Sequence, residues 1–434
     1  MKNNMKKLTV DENSINQVLS ELLSRKNSSY DEREAIVRDI IEDVRVNGDK
    51  ALFSYTKKFD QADINKDNVR VSDEEIKSAY ENVSDEFINV IRKAIKRIRA
   101  FHERQRQNSW FEAADGTILG QRVIPIDRAG VYAPGGKAAY PSSVLMNVIP
   151  AQVAGVDEII LLTPCGKDAR VDERTVVAAK EAGVDYIFKA GGAQAIAAMA
   201  YGTESIPKCS KITGPGNIFV ALAKKQVFGS VGIDSVAGPS EITVLTDGSG
   251  NAKYIAADLL SQAEHDEMAS AILVTTSKKA ADEIEREINA FVPTMERKAI
   301  IEKSLSDFGY ILITENMNEA IECVNAIAPE HLEIITKDPF TTMTYIKNAG
   351  AVFLGEYSSE PLGDYFAGPN HILPTGGTAR FFSALSVDDF VKKQSIISFS
   401  KEALGTMHKD IECFAENEGL FAHKNSIAVR FSEE

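Results

Sequence analysis

Residues 241–275 read EITVLTDGSGNAKYIAADLLSQAEHDEMASAILVT, and they decide the architecture. A strand-like apolar run at 241–246 is followed by a helical segment that includes 259–266, and then by a second strand-like run at 271–275. Strands apolar on both faces, alternating with helices, predict a parallel sheet covered by helices on either side. The same rhythm occurs upstream at 158–163, 186–190 and 208–213, and downstream at 310–314, 332–336 and 351–354. Two α/β units of Rossmann-like type are expected, dividing near Pro239.

Outside these units the pattern changes. From Val10 to about Gln107 apolar residues recur at helical spacing, in Ile15, Val18, Leu19 and Leu22 and again in Phe87, Val90, Ile91, Ile95 and Ile98. Gly116 and Gly120 punctuate a stretch of β character ending at 122–126, and a Gly/Pro-rich segment follows at 130–143. A Gly/Pro-rich loop at 355–380 interrupts the second unit; because long loops inside compact domains are usually functional or disordered, and this one carries Asp364, Asn370 and His371, function is expected. The end of the chain, 387–430, reads as helix with one short strand near 396–399.

With 434 residues, 44% of them hydrophobic and 26% charged, the chain can fill more than one core. Its net charge of -14 disfavours nucleic acid and anionic membrane surfaces as partners, since a polyanion is repelled. The basic start at 1–7 leads into polar and acidic residues, so no secretory signal is expected; no apolar run is long enough to cross a bilayer. Cys165, Cys209, Cys323 and Cys413 form no CxxC pair and are expected to be reduced and buried in a cytoplasmic protein. Any metal must then use His, Asp, Glu or Gln.

Gln262 and His265, three apart on a helix, project from one face and can share an ion, although a solvated polar pair has the same spacing. Glu330 and His331 combine a carboxylate with an imidazole at the start of a strand, where neighbouring side chains point to opposite faces unless the backbone is irregular. An ordinary surface pair is the alternative. Asp364 and His423 offer further oxygen and nitrogen ligands of the kind zinc accepts, but spacing does not join them to the others. His102 and His408 are expected to face solvent; His371 could support the site from behind, with a place outside it the favoured alternative. For a nucleotide, Thr213-Gly214-Pro215-Gly216-Asn217 leaves a strand and opens a helix, as does Gly191-Gly192-Ala193-Gln194. Neither is GxGxxG, and a packing turn is the plain alternative for both.

Taken in order, ten segments resemble the histidinol dehydrogenase family: Tyr132-Ala133-Pro134-Gly135-Gly136, Gly191-Gly192-Ala193-Gln194-Ala195-Ile196, Thr213-Gly214-Pro215-Gly216-Asn217, Ala237-Gly238-Pro239-Ser240-Glu241, Asp258-Leu259-Leu260-Ser261-Gln262-Ala263-Glu264-His265, Ala328-Pro329-Glu330-His331-Leu332-Glu333, Glu360-Pro361-Leu362-Gly363-Asp364-Tyr365, Ala367-Gly368-Pro369-Asn370-His371, Leu373-Pro374-Thr375-Gly376-Gly377 and Ala422-His423-Lys424. Jointly they are specific. The one departure noticed is Ser359, where a proline is common.

The resemblance implies one Zn2+ per subunit, bound by Gln262, His265, Asp364 and His423, and NAD contacts at Tyr132, Gln194 and Asn217. It also implies contacts to the substrate L-histidinol from Ser240, Gln262, His265, His331, Asp364, Glu418 and His423. His331 would take the alcohol proton and Glu330 would activate water in a two-step, four-electron oxidation through L-histidinaldehyde to L-histidine, a reaction of histidine biosynthesis. A homodimer is implied whose C-terminal tail crosses to the partner. The expected division is an N-terminal helical arm at 1–28, a helical section at 29–131 joined to the later α/β domain, an NAD-binding α/β domain at 132–239, a second α/β domain at 240–382 with most of the zinc site, and a small C-terminal dimerisation subdomain and tail at 383–434. Rival readings are a zinc hydrolase, a non-catalytic amino-acid or metal sensor, and an aldehyde dehydrogenase with a cysteine nucleophile.

Overall fold

The computed structural model describes residues 5–24, 30–135 and 140–432; Gly136 and parts of the N-terminal arm lie outside the described residues. In chain order the strands are β1 (Lys6–Thr9), β2 (Trp110–Ala114), β3 (Thr117–Pro125), β4 (Arg128–Tyr132), β5 (Glu158–Thr163), β6 (Tyr186–Lys189) and β7 (Lys211–Thr213). They continue with β8 (Gly232–Ile233), β9 (Glu241–Thr246), β10 (Ser270–Thr275), β11 (Gly309–Ile313), β12 (His331–Ile335), β13 (Ala351–Leu354) and β14 (Val391–Phe399).

The chain forms two compact units. The larger is built from residues up to 105 and from 126 to 390, the smaller from 106–125 and 391–434. The larger unit holds two parallel sheets, in the orders β6-β5-β4-β7-β8 and β1-β11-β10-β9-β12-β13. Counted from its own first strand, each runs 3-2-1-4-5, with β1 added outside the second. The fold class is therefore α/β with two Rossmann-like sheets. In β9 all six residues are buried, and successive residues of the second sheet enter different cores: Ile242, Val244 and Leu273 on one side, Leu245, Ile272 and Val274 on the other. Alternation across a strand buried on both faces explains the uninterrupted apolar runs.

Several strands are not apparent in the sequence pattern, among them β1, β4 and the two-residue β8. β4, the centre of the first sheet, falls where the sequence suggests a Gly/Pro-rich segment, because Gly130 interrupts its apolar run. A side chain there would meet Met199 Sδ at 2.6 Å and Cys209 Sγ at 2.9 Å, so the glycine is a packing requirement. β1 carries Lys6 and Lys7 on the sheet edge, where charge blunts pairing with other chains. Lys6 Nζ and Tyr310 Oη both donate to Glu21 Oε2 at 2.5 Å, and the two bonds pull the Glu21 carboxyl down to about 2.

The smaller unit pairs β14 with β3 and β3 with β2 in an antiparallel sheet, followed by three short helices. Residues 106–125, grouped by sequence with the N-terminal helices, belong to this sheet. Two expectations about single residues are corrected. His102 does not face solvent: it is fully buried, continuing the stripe of Ile88, Ile91, Ala94 and Ile98 along its helix, and its Nδ1 pairs with Gln105 Oε1 at 2.7 Å. Cys413 is exposed, whereas Cys165, Cys209 and Cys323 are buried; all four are free thiols.

Candidate active site

The site grows from the amino-terminal edge of the second sheet. The helix Met317–Ile327 ends with Ala328 in left-handed conformation, φ +51°, and Pro329 and Glu330 then lead into β12. Glu330 thus stands before the strand proper, which removes the alternation that would send it away from His331. Both residues meet the first residue of the neighbouring strand: the backbone N–H of Glu241 donates to Glu330 Oε2 at 2.9 Å, and its carbonyl oxygen lies 3.1 Å from His331 Nδ1. The Glu330 carboxyl is 3.7 Å from the same ring nitrogen.

A backbone carbonyl can only accept, so His331 Nδ1 carries the proton and Nε2 presents a lone pair. That Nε2 is buried with no hydrogen-bond partner among the described residues, 4.0 Å from Asp364 Oδ1. Burial lowers the His331 pKa to about 4, against the pull of Asp364, so the ring is neutral near pH 7. Burial pushes the Glu330 carboxyl well above the usual carboxylate range, the Glu241 N–H working in the opposite direction.

Two further segments, the end of the helix Ala252–Ala263 and the turn Gly363–Ala367, supply oxygen and nitrogen donors. Gln262 sits in the last turn of the helix Ala252–Ala263, 1% exposed, with Oε1 buried and unpartnered among the described residues. His265 follows the helix end, its N–H bonded to the Gln262 carbonyl at 3.2 Å. Asp364 lies in a widened helical turn, Gly363–Ala367, inside what the sequence suggests is an irregular loop. Ligand atoms of His265, Glu360 and Asp364 all fall within 4.8 Å of one another.

Glu360 was not singled out by sequence. Before a proline at the start of a short helix, an acid reads as an ordinary first-turn residue. Folding buries it to 2% and places Oε1 3.9 Å from His265 Nε2, while Oε2 accepts from Ser261 Oγ at 2.8 Å. Its backbone N–H donates to Glu333 Oε1 at 2.8 Å, and the charge of the Asp258 carboxyl acts on Glu333 from behind it. Burial, followed by the charge of Asp364, raises Glu360 to about 8; burial also raises Asp258 to about 6 and Glu333 well above normal.

The loop holding Asp364 is anchored from the far side. His371 Nδ1 meets the Asp364 carbonyl at 3.0 Å, and its Nε2 approaches Ser143 Oγ at 3.4 Å. Asn370 Nδ2 donates to the Met146 carbonyl at 2.6 Å. Ser240 immediately precedes Glu241, and its carbonyl accepts from Ser270 N–H at 3.0 Å. Glu418 and His423 belong to the smaller unit, where both are exposed.

The residues expected at a nucleotide surround the carboxyl end of the first sheet. The order 3-2-1-4-5 reverses between β4 and β7, and ligands of open α/β sheets bind at that reversal, beyond the strand ends. Tyr132 ends β4, 3% exposed, and its hydroxyl accepts from Gly192 N–H at 3.1 Å. Gln194, 1% exposed, lies in the helix that begins at Gly192. Asn217 follows β7 and caps the helix Ile218–Val227, its Oδ1 accepting from Phe219 N–H at 3.0 Å and Val220 N–H at 3.3 Å.

The chain is thus an α/β protein with two Rossmann-like sheets and a neutral buried imidazole near a cluster of metal-type donors. Burial pushes Cys165 to about 11 and Cys209 and Cys323 to about 12, which opposes a thiolate nucleophile at any of the three. The histidinol dehydrogenase family profile matches residues 23–431. Histidinol dehydrogenase of Bacillus subtilis (strain 168) is 56% identical over 415 residues, covering 95% of this chain and 97% of that protein. The enzyme of Halalkalibacterium halodurans is 55% identical, covering 93% and 95% respectively. The crystal structure of histidinol dehydrogenase from Elizabethkingia anophelis superposes with a TM-score of 0.92 at 38% identity and covers 98% of each chain. The chain belongs to the histidinol dehydrogenase family, whose members are NAD-dependent oxidoreductases. No helix among the described residues is long and apolar enough to cross a membrane.

Proposed function

We propose that the chain oxidises L-histidinol to L-histidine in two successive NAD-linked steps and keeps the intermediate aldehyde in place between them. The observation that carries this reading is His331 Nε2, a buried lone pair without a partner among the described residues, 4.0 Å from an Asp364 carboxylate whose ligand atoms cluster with those of His265. In the first step His331 takes the hydroxyl proton at Nε2, helped by a ring that stays neutral near pH 7. In the second, Glu330 accepts a proton from the water that adds to the aldehyde carbon, a task suited to a carboxyl whose proton affinity burial has raised. NAD accepts one hydride in each step, so the four electrons of the oxidation leave as two NADH.

The donors suit Zn2+. An orphaned Gln262 Oε1 calls for a cation or a proton donor, and nitrogen and oxygen ligands are those zinc accepts. Among the described residues, no lysine or arginine forms an ion pair with the crowded carboxyls of Glu360, Glu333 and Asp258, and His265 is the one basic group beside Glu360. Gln262, His265 and Asp364 would hold the ion, which supplies a fixed positive centre for the substrate's nitrogen atoms and no redox chemistry. His423 would complete the set from the partner subunit of a homodimer, with Glu418 beside the substrate. Support for a dimer comes from the smaller unit: Phe111, Ile397, Phe414 and Phe421 are exposed, and the helix Phe421–Ala428 has no buried residue. The expected place of action is the cytoplasm.

The test is NADH formation from L-histidinol by purified protein, with and without zinc chelation, counting NADH per histidine. Two NADH per histidine, abolished by chelation and restored by zinc, supports the reading. Absence of NADH from folded, zinc-loaded protein overturns it.

A further inference from the structure

Gly214, the first residue after β7, adopts φ +121°, a conformation closed to side chains; a Cβ there would lie 2.0 Å from the Tyr132 carbonyl oxygen. Both of its backbone polar groups are claimed by one ion pair. Its N–H donates to Asp234 Oδ2 at 2.8 Å, and its carbonyl accepts from Lys224 Nζ at 2.9 Å. Lys224 Nζ and Asp234 Oδ1 are themselves in direct contact, and the two side chains are 3% and 4% exposed. Asp234 follows β8, and Lys224 comes from the helix that Asn217 caps, so the pair joins two elements that flank the turn.

A buried ion pair is weak support for stability, because desolvating two charges costs about what their attraction returns. Retaining one around a single strained glycine has a positional consequence instead. We infer that Lys224 and Asp234 are positioning residues for NAD: they hold Gly214 so that the turn 214–217 presents its surface at the reversal of the first sheet. Without them, Gly214 can relax toward other backbone conformations and the turn loses its registration against Tyr132. This inference rests on NAD using that turn. It assigns no contact with NAD to either side chain, since each is already occupied.

The experiment compares Asp234→Asn, the paired variant Lys224→Met with Asp234→Leu, and Asn217→Ala, in zinc-loaded protein. For each, KM for NAD, KM for L-histidinol, kcat, zinc content and melting temperature are measured. The paired variant leaves no lone buried charge, so it keeps the test valid if Asp234→Asn fails to fold. The expected result is a rise of at least about tenfold in KM for NAD in the clamp variants, the scale of one lost charge-assisted hydrogen bond, with KM for L-histidinol and zinc content unchanged. If Asn217→Ala raises KM for NAD while the folded clamp variants do not, the positioning role is overturned and the cofactor reading stands. If neither moves it, NAD does not use the turn and both fall.

Discussion

The carbonyl oxygen of Glu241 lies 3.1 Å from Nδ1 of His331, and this contact leaves Nε2 as the ring atom able to take a proton. The same residue's N–H holds Glu330, so one residue at the start of β9 sets both of the groups proposed to move protons. Bond direction follows from chemistry: the carbonyl must accept, hence the ring nitrogen donates.

His331→Phe is therefore expected to slow alcohol oxidation by about 10²- to 10⁴-fold, the usual range for a lost general base, while zinc content stays intact. Nitrogen NMR of the wild type at pH 7 should show Nδ1 protonated and Nε2 bare. Because burial holds this group at about 4, it stays neutral down through the pH range where a free histidine would charge near 6.5. A histidine resonance at 331 that titrates near 6.5 would contradict the buried tautomer.

Glu330→Gln preserves an acceptor for the Glu241 N–H and removes the proton acceptor. The first oxidation should persist close to the wild-type rate while oxidation of added L-histidinaldehyde falls by about 10²-fold or more. Single-turnover experiments that start from the alcohol and from the aldehyde separate the two. Equal loss at both steps would mean that Glu330 acts mainly by holding His331.

The carboxyls behind the donor set give the zinc-free protein a distinctive pH response. Asp258 rises to about 6, Glu360 to about 8, and Glu333 also rises, all chiefly through burial. A group whose folded pKa exceeds its unfolded value stabilises the fold at low pH and loses that contribution as pH climbs through the folded value. Zinc-free protein should then melt a few degrees lower at pH 8 than at pH 5.5, and zinc should flatten the slope. Calorimetry across that range with and without the metal checks it; a melting point that rises with pH in the zinc-free protein contradicts the assignment. Glu360→Gln should remove part of the slope.

How much of this could be read without coordinates varies by residue. The parallel strands were legible because strands buried on both faces are apolar throughout, as β9 is. β4 was obscured by Gly130, whose role is to admit Met199 and Cys209. β1 was obscured by its two lysines, which suit an edge. His102 lies on a charged helix, but the buried stripe through Ile88, Ile91, Ala94 and Ile98 extends to it, so its spacing held the signal that its neighbours hid. Gln262 and His265 were visible as a pair three apart, but only Gln262 is helical: the helix ends at Ala263 and His265 lies in the turn beyond it. Glu360 was visible only as part of a motif, since what brings it to His265 is the return of the chain after β13. The ion pair that fixes Gly214 involves residues ten and twenty positions further along the chain, neither conspicuous in sequence, and its meaning depends on the three-dimensional turn.

Shared sites can be tested by complementation. His265→Ala and His423→Ala should each lose zinc and activity when purified alone, because each removes one ligand from every site. In a homodimer whose tail crosses to its partner, a mixed dimer rebuilds one intact site from the two undamaged halves. Random reassortment of equal amounts makes half the dimers mixed, so activity should return to about a quarter of the wild-type level, with zinc restored in proportion. Measuring both after joint unfolding and refolding checks the prediction. If His423 served its own subunit, each mixed dimer would hold two damaged sites, and neither zinc nor turnover would return.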